Sequence, residues 1–326
     1  MRGIAVCESL SNDFGLHMLR VTRTTTTSVI RTSYTCARVR SKLNRDRRSE
    51  AFLDVAGERI LVMELTGELM FVPAEIIAAT AIEQMEARDF IILDLIRVTS
   101  VDQSACTLLG ELADELGKQG KNVLITGAEH HYHFVRFLKR HFEASGNMPV
   151  LDYPDVDHAL EYAEDCLLDE SQVETDGNVR LPIEDQPLCS NLDTDELELL
   201  RSLLQEEDYQ AGDLICREGQ PADKLFFLSS GRVSVSLDLD HKHQRRLSAS
   251  TAGWAFGESA LFSGHNRTAD IRADTRVHLY SLNPVRLREM VNPTATRVLI
   301  KLLTNLSELS LTRLERANRE IRILTR

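Results

Sequence analysis

The chain lacks the features that mark secreted and membrane proteins. Its six cysteines form no C-x-x-C pair, which argues against a disulfide framework and against a zinc site. No stretch approaches about 18 uninterrupted apolar residues, so no membrane-spanning helix is predicted. The N-terminus has no apolar segment typical of a signal peptide. These absences predict a cytoplasmic protein with reduced thiols.

Other absences restrict the chemistry. No G-x-x-x-x-G-K-[ST] phosphate loop occurs. His130 and His133 stand three residues apart, but nothing fixes a third ligand, so no metal site is predicted. The net charge of −12 argues against general binding of nucleic acid.

The charged residues are unevenly distributed along the chain and indicate its division into segments. With 326 residues, of which 43% are hydrophobic, two domains are expected. Residues 1–50 carry nine Arg and one Lys against four acids, whereas residues 169–187 carry six acids against one Arg. The second segment has no apolar periodicity and is interpreted as an acidic linker. We therefore expect a basic N-terminal segment at 1–50, one domain at 51–168, the linker at 169–187 and a second domain at 188–326.

The first of these domains shows alternating strands and helices. Apolar runs predict strands at 60–65, 90–95, 122–126 and 149–151, and helical spacing separates them. This alternation predicts an α/β fold with a largely parallel sheet.

Residues 92–105 carry the most specific pattern of this domain. Ile92-Leu93-Asp94-Leu95 is followed by Val98-Thr99-Ser100-Val101-Asp102-Gln103-Ser104-Ala105, which resembles the STAS domain family. In the antagonist branch of that family, a serine two places after the aspartate is phosphorylated, and Ser104 occupies that place. The family's Gly-Leu-Gly is replaced here by Ala105-Cys106-Thr107. Simple capping of the helix by Asp102 and Ser104 is the preferred alternative. The resemblance also implies a protein partner.

The second domain contains short apolar runs between glycines. Residues 233–237 alternate apolar and polar, as a half-buried strand does. Further short runs at 214–216, 225–228, 271–273 and 277–279 predict a small antiparallel barrel or sandwich.

A short cassette of residues lies among these predicted strands, between 256 and 269. Phe256-Gly257-Glu258-Ser259-Ala260-Leu261 and Asn266-Arg267-Thr268-Ala269 set a carboxylate and a guanidinium nine residues apart among small residues. An arginine offers forked donors suited to a phosphate, and a glutamate accepts hydrogen bonds from a sugar hydroxyl. The alternative is a common Gly-Glu pair beside a solvated arginine.

From residue 188 onward the chain resembles the cyclic-nucleotide-binding domain family, a jelly-roll-like β-barrel with flanking helices. The resemblance is carried by Ala211-Gly212-Asp213, by residues 217–223, by Ser230-Gly231-Arg232-Val233 and by the cassette. It implies that Arg267 pairs with the cyclic phosphate and Glu258 with the ribose 2′-hydroxyl. It also implies that the pocket is lined by Gly257, Ser259, Ala260, Thr268 and Ala269. Ser259 and Asn266 depart from the usual apolar residue and the usual proline.

The first fifty residues resemble the C-terminal tail of bacterial serine-dependent glutaminases. The resemblance rests on Arg2-Gly3-Ile4-Ala5-Val6, on residues 11–17 and on Arg38-Val39-Arg40-Ser41-Lys42. Some members of that family carry a STAS domain and then a cyclic-nucleotide-binding domain. Their nucleophile lies in Ser-x-x-Lys, and no serine here has a lysine three residues later. No catalytic residue is therefore predicted, and the chain itself is expected not to be an enzyme.

The last thirty residues are predicted to be helical. Leu299, Leu302, Leu306 and Leu309 follow 3-4-3 spacing, and a second apolar series follows. Two interpretations stay open: the first half packs on the barrel as a lid, as the resemblance implies, or the second half pairs with another subunit in a homo-oligomer.

We expect a regulatory protein that binds a cyclic nucleotide. The change caused by binding is expected to be relayed through the STAS domain to a protein partner. Cyclic AMP is preferred over cyclic GMP because it is the more frequent ligand of the family, and no other cofactor is required. One alternative is the regulatory part of a glutaminase, which converts glutamine to glutamate and ammonia. Another is a scaffold that keeps both folds without a ligand.

Overall fold

A computed structural model describes residues 9–11, 17–19, 28–145, 150–171, 180–238, 244–262 and 265–324. The strands are β1 (Ser9–Ser11), β2 (His17–Leu19), β3 (Ile30–Thr35), β4 (Leu43–Asn44), β5 (Ile60–Leu69), β6 (Phe90–Val101), β7 (Asn122–Thr126), β8 (Val150–Tyr153), β9 (Leu204–Tyr209), β10 (Leu214–Cys216), β11 (Leu225–Ser230), β12 (Arg232–Asp238), β13 (Gln244–Thr251), β14 (Ala255–Phe256), β15 (Asp270–Ala273) and β16 (Val277–Leu282). The α-helices are α1 (Arg47–Ala56), α2 (Phe71–Gln84), α3 (Gln103–Lys118), α4 (Tyr132–Ser145), α5 (Val156–Glu170), α6 (Thr194–Leu203), α7 (Pro284–Glu289) and α8 (Pro293–Leu324).

The chain forms two compact units, which are described separately. The first contains residues 1–41 and 53–167, and the second contains residues 42–52 and 168–326. Within the described ranges, every helix is too short or too polar to span a bilayer.

The first unit is built on a five-stranded sheet in the order β3-β5-β6-β7-β8. β5 to β8 are parallel, and β3 lies antiparallel at one edge. Helices α2, α3 and α4 bury side chains such as Ile77, Leu109 and Phe134 against one face. Residues 90–95 of the central strand are all buried, as expected for a strand that is covered on both faces. The predicted α/β fold with a largely parallel sheet is confirmed.

The second unit contains two sheets, ordered β14-β11-β16-β9 and β10-β15-β12-β13-β4. All pairs are antiparallel except β13 with β4. Leu228, Val233 and Leu279 share one apolar cluster between strands of the two sheets. Leu225 and Phe227 belong to a second cluster that they form with the helices α6, α7 and α8. The predicted jelly-roll-like β-structure with flanking helices is confirmed.

The boundaries of the units differ from the segments predicted at 1–50 and 169–187. Residues 30–35 form a strand of the first unit's sheet. As an edge strand it buries few side chains. Its Arg, Thr and Ser residues therefore show no alternation of apolar and polar residues from which a strand could be predicted. The linker's last residues pack on the second unit: Leu181 N–H donates to the Ser229 carbonyl at 2.8 Å, and Ile183 is buried. Residues 2–6, 12–16 and 172–179, which also carried predictions, lie outside the described residues.

Candidate functional site

The site begins at a tight turn after β14. Gly257 has φ +79°, a left-handed conformation that costs other residues about 1 to 2 kcal/mol. A Cβ at this position would lie 2.5 Å from Arg267 Nη1 and 3.0 Å from the Lys224 carbonyl oxygen. Both the backbone and the neighbouring atoms therefore require glycine.

One turn of 3₁₀-helix, Glu258–Leu261, follows Gly257. Ala260 and Leu261 are buried, and the Ala260 N–H donates to the Gly257 carbonyl at 3.0 Å. Glu258 and Ser259 are only half-buried. The turn thus anchors its apolar end in the core and leaves the Glu258 carboxylate accessible.

The Arg267 side chain is buried and lies against the same turn. Its Nη1 donates to the Gly257 carbonyl at 3.2 Å, and its Nη2 donates to the Lys224 carbonyl at 2.7 Å. The guanidinium carbon lies 5.4 Å from the centre of the Phe226 ring. Nη2 also lies 3.8 Å from the Asp223 carboxylate. Arg267 is thus held by backbone, ring and carboxylate together.

Backbone hydrogen bonds fix the segment that carries Arg267. Its N–H donates to the Gln220 carbonyl at 2.7 Å, and its carbonyl accepts from the Gly219 N–H at 2.9 Å. Asn266 forms an isolated antiparallel bridge with Pro221. The segment is therefore held in place although Asn266 stands where the family usually has proline.

Lys224, whose carbonyl accepts from Arg267, is itself anchored. Its Nζ lies 2.7 Å from Glu207 Oε1. Burial raises the pKa of Glu207, but hydrogen bonds from Lys224, Ser281 and Tyr209 outweigh burial and hold that pKa below its usual value. The ionised Glu207 keeps Lys224 in position.

Glu258 makes a contact that the sequence did not predict. Its Oε1 accepts from Arg313 Nη1 of helix α8 at 3.2 Å. The Arg313 guanidinium carbon lies 4.4 Å from the centre of the Trp254 ring. Residues 258 and 313 are 55 positions apart, and no sequence pattern connects them.

The remaining predicted residues are distributed around this arrangement. Gly257 and Arg267 are in direct contact, Ala260 and Ala269 are buried, Ser259 is half-buried, and Thr268 is exposed. The structure thus brings the predicted turn and arginine together, and it adds Lys224, Trp254 and Arg313 to the surroundings.

In the first unit, Ser104 is exposed at the start of α3. Its Oγ donates to Asp102 Oδ1 at 2.8 Å, and the same oxygen accepts from the Ala105 N–H at 2.7 Å. This backbone bond and the Ser104 hydroxyl hold the pKa of Asp102 below its usual value. Asp102 caps the helix, and phosphorylation of Ser104 stays a prediction.

Comparison with known families identifies both units. Residues 55–143 match the STAS domain, and residues 206–293 match the cyclic nucleotide-binding domain. The chain therefore carries a STAS domain followed by a cyclic nucleotide-binding domain.

The similarity to glutaminases extends over the whole chain. Glutaminase 1 of Bradyrhizobium diazoefficiens is 31% identical over 325 residues, which is 100% of this chain and 51% of the relative. Glutaminase 2 of the same organism is 29% identical over 327 residues, again 100% of this chain and 51% of the relative. The chain thus spans about half the length of these curated relatives.

A second kind of relative matches the second unit. Potassium/sodium hyperpolarization-activated cyclic nucleotide-gated channel 2 of Mus musculus is 34% identical over 114 residues. The match covers 35% of this chain and 13% of the channel.

Proposed function

We propose that the second unit binds a cyclic nucleotide, cyclic AMP in preference to cyclic GMP, and that the STAS domain relays this to a protein partner. The observation that carries the proposal is the direct contact between the Gly257 turn and the buried Arg267 guanidinium. The match to the cyclic nucleotide-binding domain and the similarity to a cyclic nucleotide-gated channel support it. The preference for cyclic AMP rests on its frequency in the family.

The chemistry of the site suits an anionic sugar phosphate. A guanidinium has five N–H donors, and two of those of Arg267 donate to backbone carbonyls. A planar donor group of this kind binds phosphate oxygens in forked geometry. The accessible Glu258 carboxylate would accept a hydrogen bond from the ribose 2′-hydroxyl. Ser259, Thr268 and the alanines at 260 and 269 would line the pocket.

Calorimetric titration of the purified chain with cyclic AMP and cyclic GMP tests the proposal. We expect Arg267→Ala to weaken binding at least about tenfold, because a charge-assisted hydrogen bond contributes about 1.5 to 3 kcal/mol. Arg276→Ala is the matched control, because Arg276 is exposed on the turn before β16. Binding heats that are equal in wild type and Arg267→Ala would reject the phosphate role.

The folding of the variant needs its own control. Arg267→Ala removes a donor from two half-buried carbonyls. That of Gly257 still accepts from the Ala260 N–H, whereas that of Lys224 loses the bond from Nη2, and an unsatisfied buried acceptor costs about 1 to 3 kcal/mol. Arg267→Lys retains the charge and loses the forked geometry, so its affinity should fall between wild type and Arg267→Ala. The circular dichroism spectrum of each variant is compared with that of wild type to test whether the variant is folded. A wild-type chain that binds neither nucleotide would favour the ligand-free scaffold.

A second candidate function is the regulatory part of a glutaminase. It is favoured by similarity over the full length of this chain to two glutaminases. The genomic sequence upstream of the Met1 codon tests it: an in-frame domain with a Ser-x-x-Lys motif would support this function. An upstream stop codon in the reading frame would reject it.

A further inference from the structure

Residues 42–45, which we call the edge segment, contain β4, the outermost strand of the sheet that contains β13. The Ala249 N–H donates to the Lys42 carbonyl at 3.1 Å. The Asn44 side-chain amide donates to the Ala249 carbonyl at 3.0 Å and to Ser250 Oγ at 3.2 Å. The edge segment is therefore attached to β13 by backbone and side-chain hydrogen bonds.

The position of the edge segment in the chain gives this attachment a special consequence. Residues 42–52 belong to the second unit, although residues 41 and 53 belong to the first. The segment is thus part of the cyclic nucleotide-binding unit and is covalently continuous with the STAS unit at both ends. The attachment of the segment to β13 is therefore a contact within the second unit.

A series of contacts connects the edge segment with the candidate nucleotide site. The Trp254 indole Nε1–H donates to the Arg45 carbonyl at 3.1 Å. The same indole ring lies 4.4 Å from the Arg313 guanidinium carbon. Arg313 donates to the Glu258 carboxylate at 3.2 Å, and its buried Nε has no hydrogen-bond partner. Trp254 therefore contacts both the edge segment and the arginine that Glu258 holds.

We propose that Trp254 couples two events: the exchange of Arg313 for a ligand at the Glu258 carboxylate, and the loosening of the hydrogen bonds that hold the edge segment. While Glu258 binds Arg313, the guanidinium stays over the indole and fixes the ring that donates to Arg45. A sugar hydroxyl that uses the Glu258 carboxylate weakens its bond to Arg313, and the indole then loses one of its two supports. The effect is reciprocal, since coupling between two sites is a property of both. The part of this inference that concerns a ligand rests on the proposed function.

The first test needs no ligand. Hydrogen–deuterium exchange of the full chain is measured by mass spectrometry in wild type, Arg313→Gln and Glu258→Gln. We expect amides in peptides covering 42–46 and 247–251 to exchange about three- to tenfold faster in both variants, as weakening of a half-buried ion pair and a cation–π contact predicts. Arg322→Gln is the matched control, because Arg322 is exposed on the same helix. Exchange in Arg313→Gln equal to wild type at these peptides overturns the proposal.

Trp254→Phe tests the shared residue. Phenylalanine keeps an aromatic ring under Arg313 and removes the N–H that donates to Arg45. We expect the edge segment of this variant to exchange faster than in wild type, and adding Arg313→Gln to increase the rate no further. Additive effects of the two substitutions would show that Arg313 acts on the edge segment by another route and would overturn the role of Trp254.

The second test adds cyclic AMP or cyclic GMP at saturating concentration. We expect faster exchange of the edge segment in wild type and no further increase in Arg313→Gln. If calorimetry detects binding but the edge segment does not respond, the coupling is rejected and the proposed function stands. If the first test succeeds and neither nucleotide binds, the contact series stands and the proposed function fails.

Discussion

At the scale of single residues, Gly257 meets two independent constraints. Its φ of +79° disfavours any side chain, and a Cβ would come within 2.5 Å of the Arg267 Nη1 atom. The second constraint exists because Arg267 lies against the turn. The requirement for glycine at position 257 thereby depends in part on the position of a guanidinium ten residues later.

Gly257→Ala is predicted to destabilise the second unit by more than the backbone conformation alone requires. The left-handed conformation costs about 1 to 2 kcal/mol, and displacement of Arg267 adds to this. Gly212→Ala is the matched control, because Gly212 has φ +92° and nothing within 4 Å of its would-be Cβ. Urea unfolding followed by fluorescence of Trp254, the only tryptophan, measures both variants. Equal losses would contradict a role of Arg267.

At the scale of elements, the two helices α6 and α8 are joined through Glu196. This side chain is fully buried, and its carboxylate accepts from the Asp193 N–H in a capping box. It also lies 3.0 Å from Arg297 Nε and 2.6 Å from Lys301 Nζ, both on α8. Burial raises the pKa of Glu196, but the hydrogen bonds from Lys301, the Asp193 backbone and Arg297 outweigh it and lower that pKa to about 2.

The stability that Glu196 provides should therefore depend on pH. Because its folded pKa of about 2 lies below the unfolded value of 4.5, its contribution is present above pH 4.5 and is lost as pH falls toward 2. We expect the difference in thermal midpoint between wild type and Glu196→Gln to be largest near neutral pH and to shrink as the solution is acidified. Glu198→Gln, at an exposed position of the same helix, should show no such trend. A difference that is constant with pH would contradict the ion-pair role.

At the scale of the whole molecule, the long helix α8 has two different halves. Leu302 and Leu306 of its first half are buried, as its 3-4-3 spacing predicted. In its second half, Leu311, Leu314 and Ile321 are each more than half exposed, at 58%, 57% and 57%. The spacing of these three residues, with Asn318 between them, is that of a coiled-coil seam. Self-association through this half of α8 stays a proposal.

Leu314→Glu is predicted to weaken self-association at least about tenfold, because it places a charge in the proposed apolar seam. Sedimentation velocity over a range of concentrations measures this. Thr312→Glu introduces the same charge at an exposed position of α8 outside the seam and should have no effect. A wild-type chain that stays monomeric at all concentrations would reject the proposal.

The sequence predicted those parts of the fold and site that depend on neighbours in the chain. β7 was predicted at its observed bounds, and the turn at Gly257 and the arginine at 267 were found from one short cassette. β5 and β6 were predicted too short, because most residues after Leu65 and Leu95 are polar or exposed, and few of them, such as Leu69 and Val98, are buried. β3 and β4 were missed, since an edge strand with one covered side shows a weak apolar pattern.

Residue spacing therefore predicted an α/β unit and a small antiparallel β-structure, because strand and helix periods act over a few residues. The resemblance to known families supplied the particular folds and the roles of the site residues. Tertiary packing decided that Arg313 reaches Glu258, that α8 supplies Arg297 and Lys301 to Glu196, and that residues 42–45 join a sheet more than 200 positions later. Contacts of this range are set by how surfaces fit together once the elements exist, and no pattern of neighbouring residues encodes them.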